Sequence, residues 1–191
     1  VCVELCTLHF QPRNNHDNLL SNTIFGDGAA AVILTSETTA VKNKYKGLTI
    51  NGFYSLLLDE GKELMGWNIT PTNFEMILNA AIPSFICEKL GTILDKAFAH
   101  FSLTRDQITN WAVHPGGKRI LDTLQKELQL EDHEIHQSYE VLKKFGNMSS
   151  PTILFVLNEL LNTSTHTDKT IFSIGFGPGL SIETALFEYH A

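Results

Sequence analysis

The sequence predicts an α/β protein built from a duplicated unit, with one copy nearly whole and the other represented only by its end. Three observations carry this expectation. Short apolar runs bounded by turn residues, at 48–57, 64–69 and 74–78, read as strands. From Ile82 the period changes: Ile82, Phe85, Ile86, Leu90, Ile93, Leu94, Ala97, Phe98 and Phe101 recur at steps of three and four, the mark of a long amphipathic helix. A glycine turn opening an apolar strand occurs at Phe25-Gly26-Asp27-Gly28 and again, about 150 residues later, at Gly175-Phe176-Gly177-Pro178-Gly179, each near the end of a unit.

In chain order, residues 1–10 read as a strand from the first position, with no lead-in. A core strand at a true terminus would lack the neighbours that satisfy its backbone, so the chain is expected to be the C-terminal piece of something longer. A polar stretch, 11–22, precedes the first glycine turn, which feeds the apolar run 29–34, expected as a buried strand. Residues 35–46 are rich in Thr and Lys and lack apolar periodicity, which predicts a linker. The expected division is therefore 1–40, the final strands of the first unit, and 41–191, the second.

Within the second unit, Pro83 stands in the first turn of the long helix, which should end near Ser102. Thr104 with Gln107 resembles a capping box. Residues 110–113 form a short strand that halts at His114-Pro115-Gly116-Gly117. A helix over 118–128 puts Ile120, Leu121, Leu124 and Leu128 on one face, and a further helical stretch lies near 139–144. After Phe145-Gly146-Asn147-Met148-Ser149-Ser150-Pro151 come an apolar helix, 152–161, and closing strands at 170–175 and 181–189.

The composition narrows the function classes. Of 191 residues 43% are hydrophobic and 18% charged, with 14 Lys and Arg against 21 Asp and Glu, a net charge of −7. That is globular, and no run approaches the roughly 18 apolar residues of a membrane span. No basic stretch with an apolar core marks a secretory signal. The scattered basic residues argue against nucleic-acid binding through phosphates. Cys2, Cys6 and Cys87 are odd in number and lack CxxC spacing, which argues against a disulfide framework or structural zinc and fits a reducing, cytoplasmic setting. His133 and His136, three apart with no third ligand in view, read as a solvated helix edge.

Two glycine-flanked polar residues are the candidates for chemistry. His114 is presented at the carboxyl end of a strand, where α/β sheets bind ligands. Asn147 follows Gly146 ahead of a helix. Two convergent neutral donors are what an oxyanion hole or an enolate-stabilising site requires. A satisfied core histidine and an N-cap asparagine explain the same local pattern.

The strings Phe25-Gly26-Asp27-Gly28-Ala29-Ala30-Ala31, Trp111-Ala112-Val113-His114-Pro115-Gly116-Gly117, Phe145-Gly146-Asn147-Met148-Ser149-Ser150 and Gly175-Phe176-Gly177-Pro178-Gly179 resemble the C-terminal half of the chalcone/stilbene synthase family, the type III polyketide synthases. Met65-Gly66-Trp67 followed by Phe74 is more similar to bacterial members than to plant ones. The resemblance implies a thiolase-like fold and an acyltransferase that condenses an acyl-CoA starter with malonyl-CoA by decarboxylative Claisen condensation. It implies no permanently bound cofactor, a cytoplasmic homodimer, and a missing N-terminal half of the same chain.

The family's Cys-His-Asn triad places its second and third members at His114 and Asn147, and the aromatic gatekeeper between CoA tunnel and cavity at Phe25. The nucleophilic cysteine lies a few tens of residues before the opening strand, so none of the three cysteines matches it and this chain alone is expected to be inactive. Cys6 matches a cavity-lining position, while Cys2 and Cys87 are expected as small buried hydrophobes. Alternation along the opening strand puts Cys2, Glu4 and Cys6 on one face. Gly66, Phe74 and Ser149 match positions that set cavity volume, and Phe176 and Pro178 shape the cavity wall. Lys118 and Arg119 stand near the expected CoA entrance, though basic residues opening a helix also serve as a solvated face. Two other readings compete. One is a ketoacyl-carrier-protein synthase III-like enzyme, whose histidine motif is typically His-Gln-Ala-Asn rather than His114-Pro115-Gly116-Gly117. The other is a non-catalytic thiolase-fold interaction domain.

Overall fold

A computed structural model describes residues 1–12, 15–71, 73–163 and 170–190. Two residues of the polar stretch, 13 and 14, lie outside the described residues. Its centre is a four-stranded sheet in the order β3 (Gly47–Leu57), β8 (Ser181–His190), β7 (Thr170–Gly177), β6 (Asn110–Val113). β8 is antiparallel to both neighbours, and β6 and β7 are parallel. The parallel pair requires a long crossover. Helices α4 (Lys118–Glu127), α5 (Asp132–Phe145) and α6 (Thr152–Thr163) supply it. One extra residue between the Ile50 and Gly52 pairings bulges β3 against β8.

Alternation along the strands divides the core in two. Trp111, Val113, Phe172, Ile174 and Ile182 face α3 (Ile82–Phe101) and α4, meeting Ile86, Leu90, Ile93, Leu121 and Leu124. Ala112, Ile171, Ala185 and Phe187 face α6 through Val156, Leu157 and Leu160. Both faces are covered, so all four residues of β6 are buried and the strand reads as a continuous apolar run. Helix α3 has the predicted inward stripe, Pro83 in its first turn and Ser102 closing it in the left-handed region at φ 52°. A separate hairpin, β4 (Met65–Ile69) with β5 (Phe74–Leu78), stands beside the sheet.

Four segments differ from the sequence expectation. The opening strand is only β1 (Cys2–Glu4), followed by a 3₁₀ turn at Cys6–His9. The backbone N–H and the hydroxyl of Thr7 both donate to the Asp27 carboxylate, at 2.8 Å each, and draw the chain off the strand path. Cys6 therefore does not continue the face shared by Cys2 and Glu4. The run 29–34 is strand only at β2 (Gly28–Ala30), and Val32, Ile33 and Leu34 are 55%, 95% and 76% exposed. The pairing of β1 with β2 runs from Glu4 opposite Gly28 to Cys2 opposite Ala30, and the strand ends with it. The expected linker contains a helix, α2 (Glu37–Asn43), capped by the Ser36 hydroxyl and closed by Lys44 at φ 54°. It buries no residue, which is why its sequence carries no apolar period. Helix α5 starts at Asp132 rather than near Tyr139, behind a capping box of Glu131 and Glu134. Glu134 turns inward because Arg105 donates to both its carboxylate oxygens, at 2.9 and 3.2 Å, so a charged residue interrupts the apolar pattern there. Before Asn147 the chain also forms α1 (His16–Ile24), which brings Phe25 to the site.

Candidate active site

His114 follows directly on β6, and its N–H donates to the Ile174 carbonyl at 2.8 Å, extending the parallel ladder by one residue. On the other edge of β6 the Val113 N–H donates to the buried Ser138 hydroxyl of α5, at 3.1 Å. The strand end that carries the imidazole is thus held from both sides. Pro115, Gly116 and Gly117 then turn the chain into α4.

Asn147 is placed by the C-terminus of α5. Gly146 leaves the helix at φ 73°, ψ −165°, a conformation that only glycine adopts readily. The Asn147 N–H donates to the Ile24 carbonyl at 2.9 Å, and the Gly26 N–H donates to the Asn147 carbonyl at 3.0 Å, a bridge that sets Phe25 beside Asn147. A backbone N–H can only donate, so the Ser149 N–H at 2.8 Å identifies its partner as Asn147 Oδ1. The amide nitrogen must face the other way, where one N–H reaches the Gly116 carbonyl at 3.3 Å. A side chain built on Gly116 would begin 3.7 Å from His114 Cδ2. Gly116 therefore lies next to both side chains, and the Asn147 amide lines the cavity beside His114.

Both residues line a cavity of about 530 Å³, with Phe25, Trp67, Met76 and Leu154 among its apolar walls. Burial pushes the His114 imidazole down to about 4, so it is neutral at pH 7. A neutral imidazole and a carboxamide can together donate to an oxygen on which negative charge develops.

Of the other residues singled out from sequence, Gly66, Ser149, Phe176 and Pro178 also line this cavity. A side chain at Gly66 would meet nothing within 4 Å. Phe176 pairs with Ile182 and packs partly on the first core, so it contributes an edge of the wall. Cys6 and Phe74 are not among the lining residues. Burial, Glu4 and Asp27 push the Cys6 thiol up, and Phe74 meets His9 edge-on at 6.2 Å beside a second depression. Cys2 and Cys87 are partly buried, and burial with nearby Glu127 raises the Cys87 thiol. Lys118 is engaged by both Asp122 oxygens at 2.8 Å, and Arg119 is exposed; neither lines the cavity. His133 and His136 are exposed on α5. Glu183 lines the cavity without having been singled out, because in Ser181-Ile182-Glu183-Thr184-Ala185 it reads as an ordinary solvent-facing position. Among the described residues no helix is long and apolar enough to cross a membrane.

A sheet covered by helices on both faces, with a histidine at the end of one parallel strand and an asparagine from the end of α5 lining one cavity, matches a known class. The profile of chalcone and stilbene synthases, C-terminal domain, matches residues 54–189, and the chain belongs to this family. A Bacillus subtilis (strain 168) protein assigned as a chalcone synthase is 33% identical over 193 residues, spanning 99% of this chain and 53% of that protein. The 3,5-dihydroxyphenylacetyl-CoA synthase of Streptomyces toyocaensis is 31% identical over 193 residues, 99% of this chain and 50% of its own length. The crystal structure of 1,3,6,8-tetrahydroxynaphthalene synthase from Streptomyces coelicolor A3(2), a bacterial type III polyketide synthase, superposes with a TM-score of 0.82 at 24% identity. That match covers 99% of this chain and 53% of the other, and the shared fold is thiolase-like. The chain spans about half the length of the curated relatives it matches.

Proposed function

We propose that this chain is the C-terminal part of a type III polyketide synthase that joins an acyl-CoA starter to malonyl-CoA by decarboxylative Claisen condensation. The observation that carries the reading is the convergence of His114 and Asn147 on Gly116 at the wall of an apolar cavity behind Phe25. In this reading an upstream cysteine, outside this chain, takes the acyl group as a thioester. The malonyl thioester then loses CO₂, and the electron pair of the broken C–C bond becomes an enolate whose oxygen receives hydrogen bonds from His114 and Asn147 Nδ2. The enolate carbon attacks the acyl thioester and the cysteine thiolate leaves. Phe25 presents an apolar surface that disfavours the malonyl carboxylate and so favours its loss. His114, neutral in the chain as it stands, gains a reason to protonate once a thiolate lies beside it. CoA thioesters are substrates here, with no resident cofactor, and the working protein is a cytoplasmic homodimer. The exposed apolar run at Val32, Ile33 and Leu34 supports a further segment of the same protein covering this side.

The test is incubation of the full-length protein with labelled malonyl-CoA and a panel of acyl-CoA starters. Release of CO₂ with an acyl adduct on an upstream cysteine is expected. A stoichiometric adduct on Cys2, Cys6 or Cys87 would overturn the placement of the nucleophile, and no CO₂ with any starter would overturn the reading.

A further inference from the structure

One charged group in the cavity takes no part in the chemistry above. Glu183 on β8 is paired in register with Gly175 of β7 on one side and Ser55 of β3 on the other. His114, one residue beyond the Val113–Ile174 pair, falls opposite Gly175, and its Cβ lies 3.7 Å from where a Gly175 side chain would begin. Cross-strand partners project from the same face, so His114, Gly175, Glu183 and Ser55 form a row across the sheet. His114 and Glu183 stand two strand spacings apart, about 10 Å, and the residue between them has no side chain. Ser173 and Ser181, two positions along their strands, share that face and line the cavity.

Among the described residues, Glu183 is the one charged side chain lining this cavity. The Ser55 hydroxyl donates to Glu183 Oε2 and ties the carboxylate to the sheet. A carboxylate accepts through about four lone-pair sites, so one serine leaves most of them open, and because the side chain is exposed they are left to solvent at the cavity. A ligand that brings an O–H there satisfies them. An apolar ligand of the same length strips their water and returns nothing.

We propose that Glu183, held by Ser55, is a specificity-determining residue that accepts a hydrogen bond from a hydroxyl at the far end of the acyl group. The cavity then selects hydroxylated acyl thioesters over unsubstituted ones of equal length. This rests on the polyketide-synthase reading, since it takes the thioester carbonyl to sit at His114 and the acyl chain to run along the row toward Glu183.

The test compares kcat/KM of the full-length protein for a matched pair, omega-hydroxyhexanoyl-CoA and hexanoyl-CoA, with malonyl-CoA as extender. The wild type is expected to prefer the hydroxylated member by about tenfold or more. The ratio should fall to near one in Glu183→Met and lie between in Glu183→Gln. Should Glu183→Met fail to fold, the isosteric Glu183→Gln carries the test through its partial loss of preference. A wild type that uses both members equally, or a ratio unchanged in the variants, overturns this inference alone. A wild type that turns over neither thioester nor any other starter overturns the functional reading, and this inference with it.

Discussion

At the residue scale the site depends on which way two side chains point and which proton state they hold. Ser149 N–H on Oδ1 and the Gly116 carbonyl on Nδ2 leave the Asn147 carboxamide one orientation, with its nitrogen toward the histidine side. In the full-length protein, His114→Ala and Asn147→Ala should each slow malonyl decarboxylation by about a hundredfold or more, read as CO₂ release. An Asn147→Ala rate within a few-fold of wild type would leave Asn147 a purely structural cap. The histidine also makes a stability prediction. Its folded pKa of about 4 lies below the ordinary 6.5, so between those values the unfolded chain binds more protons than the folded one. The contribution is complete above about pH 6.5 and is lost as pH falls toward 4. Urea midpoints measured across that window should fall more steeply for the wild type than for His114→Gln. Parallel curves would mean that the imidazole is hydrated.

At the element scale, the end of α5 does two jobs with one glycine. Gly146 stops the helix and lets the chain lie against α1, and a Cβ there would sit 2.7 Å from the Ile24 carbonyl oxygen. Gly146→Ala combines that overlap with a backbone conformation closed to alanine, so a loss of about 1–3 kcal/mol in urea unfolding is expected. The same change should lower decarboxylation in the full-length protein, since the displaced bridge carries Asn147 with it. Retained stability would show that the turn can relax without cost. The Gly-Phe-Gly spacing of β7 is intelligible on the same terms. Both glycines fall on the cavity face: a Cβ on Gly175 would lie 3.7 Å from His114 Cβ and one on Gly177 would lie 2.9 Å from Ser181 Oγ, so a side chain at either position would crowd the site.

At the scale of the whole molecule, the helices and the four-stranded sheet form the core, and the cavity of His114 and Asn147 lies against one face of that sheet. This chain alone, given malonyl-CoA and any starter, is expected to yield neither CO₂ above background nor a covalent acyl adduct, because the proposed function places the nucleophilic cysteine outside Cys2, Cys6 and Cys87. An adduct detected by mass spectrometry would contradict this. Cavity volume should govern product length in the full-length protein. Gly66 is the place to test it, since a side chain there projects into open space and its backbone needs no glycine. Gly66→Leu is expected to shorten the polyketide while leaving the unfolding midpoint close to wild type. An unchanged product distribution would move Gly66 out of the chain's path.

Local chemistry was enough for the parts of the fold that depend on near neighbours. The period of α3, the Pro83 start and Ser102 stop, the strand ending at His114 and the glycine turns around Asn147 were legible because each rests on residues a few positions apart. The motif strings around these turns also resembled the family to which the chain belongs. Other features arise only between segments remote in sequence. The opening strand ends early because Thr7 binds Asp27, 20 residues away, and Glu134 turns inward because Arg105, 29 residues before it, neutralises its charge. Cys6 left the strand with that first contact. The place of Gly116 beside both His114 and Asn147, and the row from His114 through Gly175 and Glu183 to Ser55 across four strands, exist only once the sheet order β3-β8-β7-β6 is set. No pattern along a single strand records which strand lies beside it, so these features were decided by tertiary structure alone.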